Sequence, residues 1–234
     1  KVGDLIDKCK RTGMNAIAIT DHGNMFGIKE LVDTSAKVNG KVKDAIKGLQ
    51  KELKKAEEEN NTDAIEELKS QIKAKEKEFF KPIIGCELYV AKHGPKEKKE
   101  SVKDFKGYHL TVLAKNLQGY KNLIKIVSNA WTEGYCLTPR TDRADLEKYH
   151  EGLIVLSGSW GSEVFTHINN EDMTALEDSI KWYKQVFGDD YYLEMRREAY
   201  HDLSKDAPSD LMHEEEKANQ VLIQKSKEFG VKVV

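Results

Sequence analysis

The sequence has little cysteine, little proline and no long apolar run. Its 234 residues hold three widely spaced cysteines, Cys9, Cys86 and Cys136. No C-x-x-C pair occurs, which excludes a zinc ribbon and a thioredoxin-type redox motif. So sparse and odd a count fits a reducing, cytoplasmic compartment. No stretch is long enough to span a bilayer, and no signal-peptide pattern opens the chain. Charge of one sign is also missing, because 38 Lys and Arg stand against 40 Asp and Glu. Global charge therefore does not point to nucleic acid, and any basic surface must be local. The glycine patterns of P-loop and Rossmann sites are absent, and Gly158-Ser159 lacks the G-x-S-x-G frame of a nucleophile elbow.

The length suits one α/β domain or a barrel with a substantial core. The most informative stretch is Ile17-Ala18-Ile19-Thr20-Asp21-His22-Gly23-Asn24-Met25-Phe26-Gly27. It reads as a short buried strand that ends abruptly in an Asp-His-Gly turn. An acid and an imidazole at the carboxyl end of such a strand sit where α/β folds and barrels build their sites. An Asp-His pair alone is equally a satisfied turn pair.

Helix and strand alternate along the rest. Helices are expected near 2–12, 27–36, 117–131, 143–149, 160–168, 172–186 and 209–229. Strands are expected at 15–19, 83–90, 109–114, 152–156, 190–195 and 231–234. Tyr120, Leu123, Ile124, Val127 and Trp131 lie at helical spacing and predict a core face. Thr141 or Asp142 can cap the helix that follows them. Repeated βα units imply a largely parallel sheet, and six or more strands favour a barrel over an open sheet. The chain opens directly into a helix and closes inside a strand, which is read as a piece of something longer.

Residues 41–78 break the rhythm with ten Lys and ten acidic residues. Val42, Ile46, Leu49, Leu53 and Ala56 form one heptad stripe; Ile65, Leu68, Ile72, Lys75 and Phe79 form another. Asn61 or Thr62 can cap the second helix. The expectation is an inserted antiparallel helical hairpin with arms roughly 25 Å long at 1.5 Å per residue. Balanced charge argues for a solvated insertion or partner contact rather than a nucleic-acid arm.

Glu87 lies inside an otherwise apolar strand. A lone buried carboxylate is costly unless paired or metal-bound, although a strand residue can also face solvent. Tyr108-His109 opens the next strand. Asp21, His22, Glu87 and His109 fall on separate elements of one sheet, as the donors of a barrel mouth do. Imidazole with carboxylate suits Zn, Mn or Fe, with water activated on the metal. One tension remains: His109 starts its strand, whereas barrel sites collect at strand carboxyl ends. His93, His150, His167, His201 and His213 lie in polar surroundings and are expected to be exposed. The loop 91–106 carries six Lys against three acids. It reads as a solvated loop or as a phosphate-contacting edge.

Thr20-Asp21-His22-Gly23-Asn24-Met25-Phe26-Gly27, Pro82-Ile83-Ile84-Gly85-Cys86-Glu87-Leu88-Tyr89-Val90 and Tyr108-His109-Leu110 together resemble the PHP (polymerase and histidinol phosphatase) domain. The form most resembled is that at the amino terminus of bacterial replicative DNA polymerase III alpha subunits. Gly119-Tyr120-Lys121-Asn122-Leu123-Ile124, Pro139-Arg140-Thr141-Asp142-Arg143 and Leu156-Ser157-Gly158 extend the likeness, as do Trp182-Tyr183-Lys184 and Phe187-Gly188-Asp189.

The resemblance implies a distorted seven-stranded (β/α) TIM-like barrel over 1–234, truncated at both ends, with 41–78 inserted. It puts His22, Glu87 and His109 at metal-ligand positions, Asp21 beside them, and Ser159 at a degenerate one. A neutral hydroxyl is a poor transition-metal ligand beside thiolate or imidazole. The family's His-x-His would precede Lys1 and its Asp-x-His would follow Val234, so the cluster is expected to be incomplete, with weak metal binding and no phosphoesterase activity. For the longer protein it implies a Mg-dependent DNA polymerase acting in replication. Its partners would be DNA, the proofreading exonuclease subunit and the sliding clamp, and this chain would be a monomeric structural and interaction module. The alternative is a metal-dependent phosphoesterase, either proofreading, pyrophosphatase-like or free-standing and histidinol-phosphatase-like.

Overall fold

The computed structural model describes residues 1–96, 106–196 and 209–234. Residues 97–105, which carry much of the lysine-rich loop, lie outside the described residues, as do His201 and the side chain of His213. The chain forms two compact units, residues 1–19 with 26–84 and residues 20–25 with 85–234.

The first unit contains α1 (Val2–Arg11), β1 (Ala16–Ile19), α2 (Gly27–Glu58) and α3 (Thr62–Glu76). It also holds the first half of β2 (Lys81–Val90), which pairs in parallel with β1. Val2, Ile6 and Cys9 of α1 are buried with Leu31 of α2 and Phe80, and Ile17, Ile19 and Val38 pack against them. The helices expected near 27–36 and 42–58 are one continuous helix. Nothing between them breaks it: Gly40 costs only about 1 kcal/mol relative to Ala, and no proline intervenes.

After α2, Asn60 takes a positive φ of 53° and Asn61 caps α3 by accepting from the Ala64 amide at 3.2 Å. Ala45, Gly48, Leu49 and Glu52 face Gln71, Ala74, Lys75 and Glu78 across a shallow groove, so the arms run antiparallel. The side chain of Asn39 closes the base of the pair. It donates to the Phe80 carbonyl at 2.9 Å and accepts from the Phe80 amide at 2.8 Å.

The second unit contains β3 (Tyr108–Ala114), α4 (Leu117–Thr132), β4 (Tyr135–Cys136), β5 (Thr138–Thr141) and α5 (Arg143–Lys148). It continues with β6 (Leu153–Leu156), α6 (Glu163–Asn169), α7 (Met173–Phe187), β7 (Tyr191–Leu193), α8 (Ser209–Phe229) and β8 (Lys232–Val233). The sheet order is β4-β5-β2-β3-β6-β7-β8. The expected largely parallel sheet is corrected here: β3 runs antiparallel to both β2 and β6, while β5, β7 and β8 pair in parallel with their neighbours β2, β6 and β7. No described helix lies between β2 and β3, so no crossover returns the chain for a parallel pairing. The hairpin of β4 and β5 was not anticipated; its strands are too short to show a period.

Cys86, Leu88 and Val90 of β2 and Leu110 and Val112 of β3 alternate onto one face and join the main core with Leu123, Ile126, Ile168, Leu176 and Ile180. The buried stripe of α4 is Gly119, Asn122, Leu123, Ile126 and Ala130. The predicted core residues Ile124 and Trp131 are instead 39% and 47% exposed. Gly119 sets this rotation, because any Cβ there would overlap the Gly152 carbonyl. Asp142, not Thr141, caps α5 by accepting from the Asp145 amide at 2.9 Å. No helix among the described residues is long and apolar enough to cross a membrane.

Ala45, Asp44 and Lys47 on one arm of the α2–α3 pair are exposed, and no residue of α3 is fully buried. Replacing 41–78 by a short linker that keeps Asn39 and Phe80 is therefore expected to leave the melting temperature nearly unchanged. A large fall on calorimetry would mean that these helices stabilise the rest of the chain.

Candidate metal centre

Three of the sequence-predicted residues meet. The His22, Glu87 and His109 donor atoms lie within 4.8 Å of one another. That is close to the span that metal–ligand bonds of about 2.0–2.2 Å permit across a single ion. Backbone pairing puts them there. The Glu87 amide donates to the Asp21 carbonyl at 3.0 Å, and the Gly23 amide donates to the Glu87 carbonyl at 2.8 Å. His22 is thereby held in a parallel bridge to Glu87.

On the other side, β3 sets Tyr89 opposite His109 and Glu87 opposite Thr111. Alternation then places Glu87, Tyr89, His109 and Thr111 on one face, opposite to the core residues Cys86, Leu88, Leu110 and Val112. The reversal of β3 resolves the tension over His109. The start of an antiparallel strand lies at the same edge as the carboxyl end of its partner.

Glu87 Oε1 takes both rings. It is hydrogen-bonded to His109 Nδ1 and lies 3.3 Å from His22 Nδ1. The His109 hydrogen bond, aided by the charge of both imidazoles against the cost of burial, holds the Glu87 carboxyl below the usual carboxylate range. Tyr89 borders both rings, at centroid distances of 5.0 Å from His109 and 6.4 Å from His22. Burial first, then the Glu87 charge, pushes its phenol up. The His22 side chain is 63% exposed, whereas those of Glu87 and His109 are mostly covered. The group thus opens to solvent on the His22 side. Two imidazoles and one carboxylate form a donor set of the kind that holds Zn, Mn or Fe.

Neighbouring groups fix the rings. Gly23 has φ +64°, and a Cβ there would lie 2.7 Å from Pro139 Cγ and 3.2 Å from Tyr89 Cε2. Its carbonyl accepts from Trp131 Nε1 at 2.8 Å. That bond ties the half-exposed Trp131 to the turn that carries His22. The His109 amide donates to the Gly161 carbonyl at 3.0 Å, and Gly161 lies against the imidazole.

Asp21 contributes through its backbone: its carbonyl also accepts from the Cys86 thiol at 3.3 Å. Burial pushes that thiol up to about 12, so Cys86 is no thiolate donor at neutral pH. Ser159 is half-buried in the turn that packs on His109, and its carbonyl accepts from the Ser162 amide. His167 departs from expectation. Its side chain is only 16% exposed and lies 3.9 Å from Glu163. His150 is exposed and bonds the Glu147 carbonyl at 2.6 Å.

One acidic residue that feels the Glu87 charge is not marked by the sequence reading. Glu194 directly follows β7, and burial together with the Glu87 charge pushes its carboxyl up. Its position just past the strand Tyr191–Leu193 was the available signal, the same kind of position that drew attention to Asp21.

With a mixed α/β sheet and a two-histidine, one-carboxylate group at its strand edge established, comparison with known proteins gives the class. Residues 1–198 match the family model of the PHP domain, and the chain belongs to that family. Across 231 residues it is 36% identical to a DNA polymerase III subunit alpha of Borreliella burgdorferi, covering 99% of this chain and 16% of that protein. The polymerase III subunit alpha of Thermus aquaticus is 30% identical over 237 residues, covering 100% of this chain and 15% of that protein. That of Chlamydia pneumoniae is 28% identical over 246 residues, with 100% and 16% coverage. The chain thus spans about one sixth of the length of these relatives.

Gly23→Ala is expected to lower stability by about 1–3 kcal/mol for the left-handed backbone alone. It should also abolish zinc uptake, because the new methyl displaces the His22 turn. Gly13→Ala, which has φ +79° but open space, serves as the control for strain without displacement. Zinc titration of both variants checks this; equal uptake would show that Gly23 does not set the site.

Proposed function

We propose that this chain is the PHP domain of the alpha subunit of a bacterial replicative DNA polymerase III, acting in DNA replication in the cytoplasm. Its part there is that of a metal-steadied structural and interaction module. The observation that carries the reading is the match of nearly the whole chain to alpha subunits of several bacteria, each about six times as long. In such a protein, Mg-dependent nucleotidyl transfer belongs to other segments. DNA, the proofreading exonuclease subunit and the sliding clamp are the proposed partners, and the isolated chain is a monomer. The fold reading that goes with it is a distorted seven-stranded barrel with 41–78 inserted.

His22, Glu87 and His109 would hold one Zn, Mn or Fe ion. When bound, the ion would crosslink β2, β3 and the turn after Thr20, which is a contribution to folding. Glu87 orients both imidazoles through Nδ1, and Tyr89 covers one side of them. Ser159 supplies at most a neutral hydroxyl, and Asp21 supports the turn through its carbonyl. Three donors suffice for one ion but not for a two-metal clamp on a phosphoester. The second reading, a metal-dependent phosphoesterase, is favoured by the solvent exposure of His22.

Hydrolysis of a generic phosphoester with Mn or Zn separates the two. No turnover is expected, together with a rise in melting temperature on adding zinc that His22→Ala removes. Turnover that His22→Ala abolishes would make the second reading the right one.

A further inference from the structure

Residues 41–78 are balanced in charge as a whole, with ten Lys and ten acidic residues, but folding sorts the two signs. Six of the ten acids fall between Glu57 and Glu67, around the turn at Asn60 and Asn61, and no Lys lies among them. Within α2, Lys43, Lys47, Lys51 and Lys54 follow a 4-4-3 spacing, which brings them onto one side of the helix together with Gln50. At 1.5 Å per residue the stripe is about 16 Å long. Val42, Ile46 and Ala56 are buried on a different side.

All four lysines are exposed, and none makes an ion pair among the described residues. Lys29 and Lys75 differ, since they bind Asp33 and Glu78 at 2.6 and 2.8 Å. Lys47, Gln50, Lys51, Leu53, Lys54 and Glu57 line one shallow surface hollow. Asp44 flanks the start of the stripe, Glu57 and Glu58 end it, and no acid stands within it. The other arm has no counterpart: on α3, Lys69 and Lys73 each have an acid three residues away, Glu66 and Glu76.

The chemistry of this face selects its partner. It holds no aromatic side chain, and its one large apolar residue, Leu53, is half-buried. A protein interface is enriched in aromatic anchors and depleted in lysine. A single strand would need rings on which to stack its bases. A helix lying on a membrane would need its apolar side free, whereas that side of α2 faces α3. A row of unpaired ammonium groups without base-reading side chains fits closely spaced, fixed negative charges. Duplex DNA offers one charge per about 1.7 Å of axis, enough for every lysine of the stripe.

We propose that the lysine stripe of α2 is a sequence-independent contact for the phosphate backbone of duplex DNA. Each ammonium meets phosphate as a point charge and carries no base information. The stripe shares no residue with the metal centre.

The test follows the fluorescence anisotropy of a labelled duplex of about 20 base pairs, of arbitrary sequence, as the 234-residue chain is added at about 25 to 200 mM salt. Four phosphate contacts predict a slope of log K against log salt of about −3.6, at about −0.9 per contact. Lys47→Gln combined with Lys51→Gln should bring the slope to about −1.8 and weaken binding at low salt about tenfold. Glutamine is as good a helix former as lysine, so circular dichroism should not change. Lys69→Gln combined with Lys73→Gln removes the same net charge from α3 and should leave affinity and slope unchanged. Equal weakening by the two pairs would show bulk attraction only and overturn the stripe. No binding at low salt, tighter binding of the matching single strand, or tighter binding of phosphatidylserine vesicles would each overturn duplex DNA as the partner. All of these failures would leave the polymerase reading of the chain standing, because it rests on the match to alpha subunits.

Discussion

The site depends on the direction of one strand. Because β3 runs against β2, the first residues of β3 lie beside the last residues of β2, and His109 comes opposite Tyr89. A parallel β3 would have carried His109 to the far end of the sheet. The same pairing keeps the two faces distinct. Cys86, Leu88, Leu110 and Val112 enter the core, while Glu87, Tyr89, Thr111 and His109 remain on the opposite face. Burial of one face therefore fixes the register that assembles the other, since a slip of one residue would exchange them.

Electrostatics then acts on a prepared arrangement. Glu87 is mostly covered and holds its charge because His109 and His22 both face Oε1. The cost of desolvating a carboxylate is offset by hydrogen bonding to an imidazole, and a metal ion would replace that interaction with a stronger one. Small residues are needed where backbone meets ring. Gly23 sits under Pro139 and Tyr89, and Gly161 under His109. Trp131 reaches across to the Gly23 carbonyl, so the turn carrying His22 is held from two directions.

Much of this was legible in the residues. The apolar run Ile17-Ala18-Ile19 before Asp-His-Gly announced a strand and the turn that brings His22 beside Glu87, and a carboxylate inside the apolar strand 83–90 marked Glu87. The heptad stripes from Val42 to Phe79 announced two helical stretches, the first of which is part of the longer α2, and of Asn61 and Thr62 it is Asn61 that caps the second. What failed depends on information that lies between elements. Strand direction is a property of connections, so the alternation of helix and strand suggested parallel pairing where β3 is reversed. The rotation of α4 was hidden because Gly119, which packs on Gly152, carries no hydrophobic signal. Glu194 was passed over because nothing in Tyr191-Tyr192-Leu193-Glu194 shows that it feels the Glu87 charge.

The central claim is that His22, Glu87 and His109 form one metal centre. Anomalous diffraction from a crystal grown with zinc, measured on both sides of the zinc edge, tests it most directly. The account predicts one strong peak bonded to all three side chains. A peak only at other histidines, such as His93 or His150, or no peak at these three residues, would contradict it.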